Sequence, residues 1–188
     1  MPGPGGRGKD DDRRGMDGLT DSLRRRLNAV RVARLATLSE AGPALVPICF
    51  VLLDTTLYHV LDAKPKRVDP ASLRRVRNLQ RDPRAAVIVD HYEEDWARLW
   101  FVSLEGSARI LSRGSESARA LTALKRKYPQ YRRMALPEPA LVIALDVGAV
   151  RRWRVRPGPA SAGAAREARR VGRSGSTRSR STGRRSGR

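Results

Sequence analysis

Five basic side chains in one short stretch, Lys64, Lys66, Arg67, Arg74 and Arg75, are the residues in this chain best suited to hold a charged ligand. The first three lie in a proline-punctuated loop. Asp69 and Pro70 then offer an N-cap and a first-turn proline, the usual opening of a helix. The spacing predicts a helix from there to about Arg81, stopped by Asp82-Pro83. Leu73, Val76 and Leu79 recur at helical spacing and should face a core, leaving Arg74, Arg75, Arg77 and Asn78 on the flanks or outside. An anion docked at this point meets free backbone amides together with several guanidinium and ammonium groups. A merely solvated basic helix explains the same residues on charge alone.

No catalytic constellation accompanies them. There is no activated-serine motif, no Cys-His pairing and no carboxylate pair. His59 and His91 lack Cys, His or carboxylate companions at ligand spacing, so both read as structural histidines rather than metal ligands. The single cysteine, Cys49, sits in the apolar run ALVPICFVLL and reads as a buried structural thiol. One cysteine permits no internal disulfide, which fits a reducing cytoplasm. That run is too short to span a bilayer and the N-terminus lacks a secretion signal, so a soluble cytoplasmic protein is expected.

The elements that must position these groups follow from periodicity. Of 188 residues, 39 are Lys or Arg and 19 Asp or Glu, for a net charge of +20. Residues 157–188 carry nine Arg against Glu167, and the first seventeen residues cancel, so +12 remains on residues 18–156. Residues 1–18 read as a flexible lead, 19–156 as one domain, and 157–188 as a basic Arg/Ser/Gly tail that is disordered by composition. Thr20 or Asp21 caps a short helix bearing Leu23, Leu27 and Val30 on one face. Val32 to Leu38 and Pro43 to Leu53 read as a hairpin about the turn Ser39 to Gly42. Pro47 cannot donate to a ladder, which predicts an edge, a bulge or an opening of the sheet. Thr56 to Leu61 is a third strand, entered through Asp54-Thr55. Ala85 to Val89 is a fourth, covered on both faces. Leu99 to Leu111 is a long fifth, with Trp100, Val102, Leu104, Gly106, Ala108 and Ile110 sharing a face. A helix from Ser115 to about Tyr128 should bury Ala118, Leu121, Thr122 and Leu124. Strands at Ala140 to Val147 and Ala149 to Val155, separated by Gly148, complete the domain. The sum is a mainly β protein with flanking helices, a six- to seven-stranded antiparallel barrel, closed or split.

From about Val32 to Trp153 this order resembles the pyridoxamine 5'-phosphate oxidase-like split barrels of the FMN-binding type. It is most similar to their actinobacterial branch of oxidoreductases that use the deazaflavin coenzyme F420. The residues that carry the likeness are ARLATLSEAGPALVPICFV, DAKPKR and LRRVRNLQRDPRAAVIVDHYEEDWARLWFVSLEGSARI. The resemblance implies a homodimer with the cofactor in a groove at the subunit interface. It implies that Lys64, Lys66, Arg67, Arg74 and Arg75 hold the phosphate, Arg75 foremost, and that the backbone of Val46, Pro47 and Ile48 flanks the ring system. Trp96 and Trp100 are candidates for shaping the pocket, although a strand tryptophan is more often core or interface. The cofactor itself carries the hydride, so the protein's task is to bind, orient and shield.

F420 is the cofactor expected and FMN the alternative, the basic fold suiting a coenzyme with a phosphodiester and a glutamate tail. The substrate expected is a small molecule with a conjugated C=C or C=N bond. The family's C-terminal Arg-x-His substrate element is replaced by VRRWRV, which argues against a vitamin substrate. A basic nucleic-acid-binding module is the reading from another class. No recognition helix or aromatic-studded basic surface supports it, and the tail is expected to meet polyanions only nonspecifically.

Overall fold

A computed structural model describes residues 12–14, 18–62, 70–134 and 136–155. The first element, β1 (Asp12–Arg14), falls within the predicted flexible lead and pairs with the last strand. Helix α1 (Asp21–Ala29) starts where expected: the Thr20 hydroxyl accepts from the Leu23 amide at 3.3 Å, and Leu23 and Leu27 are buried. Strand β2 (Ala33–Ser39) turns at Gly42, whose φ of +104° a side chain would resist, into β3 (Gly42–Ile48).

The predicted strand from Pro43 to Leu53 is not one strand. It ends at Ile48, and a separate β4 (Val51–Leu53) begins after Cys49 and Phe50. The sheet explains the break. Its hydrogen-bonded order is β3-β2-β6-β7-β8-β5-β4, so β3 and β4 are its two opposite ends. Here β5 is Thr56–Val60, β6 is Arg84–His91, β7 is Trp100–Leu111 and β8 is Val142–Arg154, and every neighbouring pair is antiparallel. Two end strands joined by only two residues must lie close in space. The sheet therefore curls on itself without pairing its ends, which is a split barrel.

Tyr128 holds that seam. Its hydroxyl accepts from the Phe50 amide at 2.9 Å and lies 2.9 Å from both the Phe50 and the Arg31 carbonyls, to one of which it donates at a time. Phe50 itself is fully buried. Helix α3 (Ser115–Lys127) delivers Tyr128, and a short α4 (Gln130–Arg133) follows. The face of α3 that packs is Ser117, Ala120, Ala123 and Leu124, rather than the predicted set with Ala118 and Thr122, both of which are exposed. Leu124 is buried and Leu121 packs against the same cluster, as the periodicity predicts, while the small residues Ser117, Ala120 and Ala123 let α3 lie close against β4, β5 and β8. Strands β5 and β8 are buried on both sides. Leu57, Ile143 and Leu145 enter the barrel core, while Tyr58, Val60, Val142 and Ala144 pack under α3 and α4.

The final strand is also corrected. Gly148 does not break it; β8 runs unbroken to Arg154, and the register slips by one residue opposite Glu105 and Gly106. Gly106 is needed there because a Cβ would fall 1.9 Å from the Asp146 carbonyl oxygen. Among the described residues no helix is long and apolar enough to cross a membrane.

Tyr128→Phe should leave the buried Phe50 amide unpaired and lower stability by about 1–3 kcal/mol in urea unfolding. An unchanged midpoint would show that the seam closes without the hydroxyl.

Candidate functional site

Helix α2 (Arg74–Arg81) supplies the two candidate arginines that the structure describes. It begins four residues later than its sequence suggests. Pro70–Ser72 form a single 3-10 turn, Leu73 is extended, and no side chain caps the helix at Leu73. Asp69, the expected cap, lies outside the described residues, as do Lys64, Lys66 and Arg67.

Three residues on one side of α2 fasten it to the end of β2. Arg74 donates to the Ser39 hydroxyl at 2.9 Å, Asn78 to the Thr37 hydroxyl at 2.9 Å, and Arg81 to the Leu38 carbonyl at 3.1 Å while pairing with Glu40. Asn78 is only 6% exposed, not at the surface as expected. An amide can be buried here because Thr37, itself buried, satisfies it. Val76 and Leu79 enter the barrel core as predicted.

Arg75 differs from the other arginines of α2. Arg74, Arg77 and Arg81 are exposed, whereas Arg75 is half-buried. Its Nε has no exposed surface and no hydrogen-bond partner among the described residues. Burial lowers its pKa, opposed by the Asp62 carboxylate and the Tyr131 phenol nearby. Asp62 lies near but forms no ion pair with this guanidinium, and a half-buried cation whose Nε has no acceptor among the described residues is favoured by an added anion.

Tyr131 connects this arginine to β3. Burial first, and then its contact with the Cys49 thiol, raises the phenol's pKa. Cys49 directly follows Ile48, so a chain of neighbours runs from Arg75 through Tyr131 to the end of the edge strand. Cys49 is half-buried rather than buried, and its carbonyl bonds His59 Nδ1 at 3.0 Å. On β3 itself Val46 packs on the core, Ile48 is buried, and Pro47 is exposed on a strand with no outer neighbour, the edge its missing N–H requires.

The tryptophans lie elsewhere. Trp100 is half-buried, stacked on His91 with centroids 6.4 Å apart and capped by the Arg26 guanidinium at 4.1 Å. It pairs with His91, whereas the end of β2 that receives α2 pairs Thr37 with Ala85. Six residue steps along β6 put the Trp100 row about 20 Å from the Arg74 end, with Pro47 opposite Arg34 midway between them. Trp96 is 69% exposed in a 3-10 turn capped by Asp95. Within one protomer the structure thus places Arg75 near Tyr131 and so near the end of β3, and sets the Trp100 row about 20 Å from the Arg74 end of α2. His91 pairs with Glu93, and no metal-ligating cluster occurs among the described residues.

Sequence reasoning missed Asp62, Tyr131 and Lys127. The Nζ of Lys127 lies 3.8 Å above the Phe50 ring, has no exposed surface, and has no hydrogen-bond partner among the described residues. Burial and the Arg31 charge bring its pKa from 10.5 to about 7. The run KRKYPQY gives no periodic sign that its second lysine turns inward.

Residues 19–154 match the family model described as pyridoxamine 5'-phosphate oxidase. The chain belongs to that family. No curated protein matches it. A conserved hypothetical protein from Mycobacterium tuberculosis has the same fold, with a TM-score of 0.58 and 18% identity over 76% of this chain and 94% of that one. An FAD-binding protein from Mesorhizobium loti superposes with a TM-score of 0.52 at 20% identity, covering 74% and 96%. A heme binding protein from Mycobacterium smegmatis gives 0.55 at 25% identity, covering 69% of this chain and 52% of that one. These likenesses establish the fold of the family member.

Because the folded pKa of Lys127 lies below its unfolded value, the fold holds this proton less tightly than the unfolded chain does. Its unfavourable contribution is full below pH 7 and fades as the pH rises toward 10.5. Lys127→Met should therefore stabilise the protein at pH 6 and much less at pH 10. Equal urea midpoint shifts at the two pH values would contradict the assignment.

Proposed function

We propose that this protein is an F420-dependent oxidoreductase that moves a hydride between the deazaflavin and a conjugated C=C or C=N bond of a small molecule. The observation that carries the reading is Arg75, a half-buried cation whose Nε finds no acceptor among the described residues. It stands at the start of α2, eight residues after Arg67 in the sequence. The coenzyme's phosphodiester would complete Arg75, with Arg74 and the loop cations adding charge around it. Val46, Pro47 and Ile48 would then offer edge-strand backbone to the ring system, on the strand whose outer side has no neighbour. When bound, the deazaflavin supplies the hydride, and the chain's residues bind, orient and shield the reactants.

FMN is the alternative ligand for the same groups, since one phosphate meets the same need at Arg75. The family membership, the FAD-binding likeness and the basic fold support a flavin-type cofactor in general. Heme gains less support from the residues. His59 is 4% exposed with Nδ1 on the Cys49 carbonyl, and His91 is paired with Glu93.

A homodimer fits the outer face of the sheet. Leu45 on β3 is 65% exposed, and Ala36, Ile88, Phe101 and Trp153 lie on the same side of neighbouring strands, half-buried, with Phe101 and Trp153 stacked at 5.7 Å. The same face carries the ion pairs Arg34–Asp90 and Arg151–Glu105, so it offers a second copy exposed apolar side chains interspersed with charges.

Two measurements test these statements. Titration of F420 fluorescence should show binding to the wild type that Arg75→Ala weakens roughly tenfold to a hundredfold. Absence of F420 binding, or binding indifferent to that substitution, would sink the reading, and retention of a yellow flavin on purification would shift it to FMN. In sedimentation, Leu45→Asp should convert a dimer to a monomer; a monomeric wild type would refute the assembly.

A further inference from the structure

A cationic concavity lies between α1 and α3, with no residue of α2 in its described lining. It encloses about 950 Å³, with Leu52, Leu53, Ala29, Ala118 and Ala123 contributing its apolar part. Arg24 and Arg25 of α1 and Arg119 and Arg126 of α3 line it.

Two of these arginines are fixed by the protein. Arg24 pairs with Asp21 and donates to the Asp54 carbonyl at 3.3 Å, and Arg119 pairs with the Asp54 carboxylate at 3.1 Å. Asp54 holds both from a left-handed turn position, φ 52°, so the carboxylates at this site act as anchors for its arginines. The other two, Arg25 and Arg126, make no ion pair or hydrogen bond with a described residue. Arg119 and Arg126 are seven residues apart on one helix face, about 10.5 Å along α3. Cations thus stand on both walls and apolar atoms between them. That combination suits a polymer that alternates charged groups with less polar ones, rather than a chain of bare phosphates. The groove has no aromatic lining on which bases could stack, so it would read charge and not sequence.

We propose that the groove between α1 and α3 binds the sugar-phosphate backbone of single-stranded nucleic acid, through Arg25 and Arg126 with Arg24 and Arg119 as fixed walls. The site is independent of the cofactor residues on α2, which packs on β2 and β7.

The test uses the full chain and the anisotropy of a labelled oligothymidine over a range of salt concentrations. Each phosphate neutralised on a single strand adds about 0.7 to the slope of log affinity against log salt. The double variant Arg25→Gln/Arg126→Gln should therefore lower the slope by about 1.4. The double variant Arg113→Gln/Arg133→Gln removes the same charge from exposed positions outside the groove and should leave it unchanged. Equal slope changes in both pairs would assign the binding to diffuse charge and overturn the proposal, as would no change in either. Inorganic polyphosphate serves as the second probe. If only its binding responds to the groove substitutions, nucleic acid is the wrong ligand.

Discussion

The fold turns on one short join. Because β3 and β4 occupy opposite ends of the sheet yet follow each other after Cys49 and Phe50, the barrel must curl until its ends meet without pairing. The backbone groups left at that seam need partners, and the Tyr128 hydroxyl supplies them to Phe50 from the far end of α3. Lys127 lays its amine over the Phe50 ring at the same place, a buried nitrogen with no hydrogen-bond partner among the described residues that costs stability while it is charged. Everything proposed about the site follows from this closure, since it brings Cys49 against Tyr131 and so ties the edge strand to the surroundings of Arg75.

Physical context separates one arginine from the many. With 39 basic residues in the sequence, charge by itself selects nothing. Arg74 and Arg81 are spent on fastening α2 to β2 and the β2–β3 turn. Arg84, Arg98 and Arg109 each have carboxylates of their own. Arg75 is withdrawn from water with the Asp62 carboxylate nearby but no ion pair to it and no acceptor for its Nε among the described residues, and that is the ground for proposing an anion at this point.

Much of this was legible in the sequence where a local rule governed. Thr20 as a cap, Pro47 on an edge, the inward face of β7, and Val76 with Leu79 under α2 all follow from caps, missing donors and periodicity. Gly42 supplied the turn. Long-range constraints were not legible. The break at Cys49-Phe50 looks like one continuous apolar run, because the reason for it is the meeting of two sheet ends remote in pairing order. Gly148 looks like a stop, yet it is the extra residue of a bulge set by Gly106 on the neighbouring strand. Asn78 looks like a surface residue until Thr37 is placed beside it. Trp100, a pocket candidate by resemblance, lies about 20 Å along β6 from the row that receives α2 within one protomer.

The central claim is that Arg75 is held half out of water to receive the phosphate of a redox coenzyme. Its most direct test is a crystal structure of the protein soaked with F420. The account predicts a phosphodiester oxygen within hydrogen-bond distance of the Arg75 guanidinium, with the ring system along the exposed edge of β3. A coenzyme phosphate bound elsewhere, with Arg75 closed onto a carboxylate of its own chain, would contradict it.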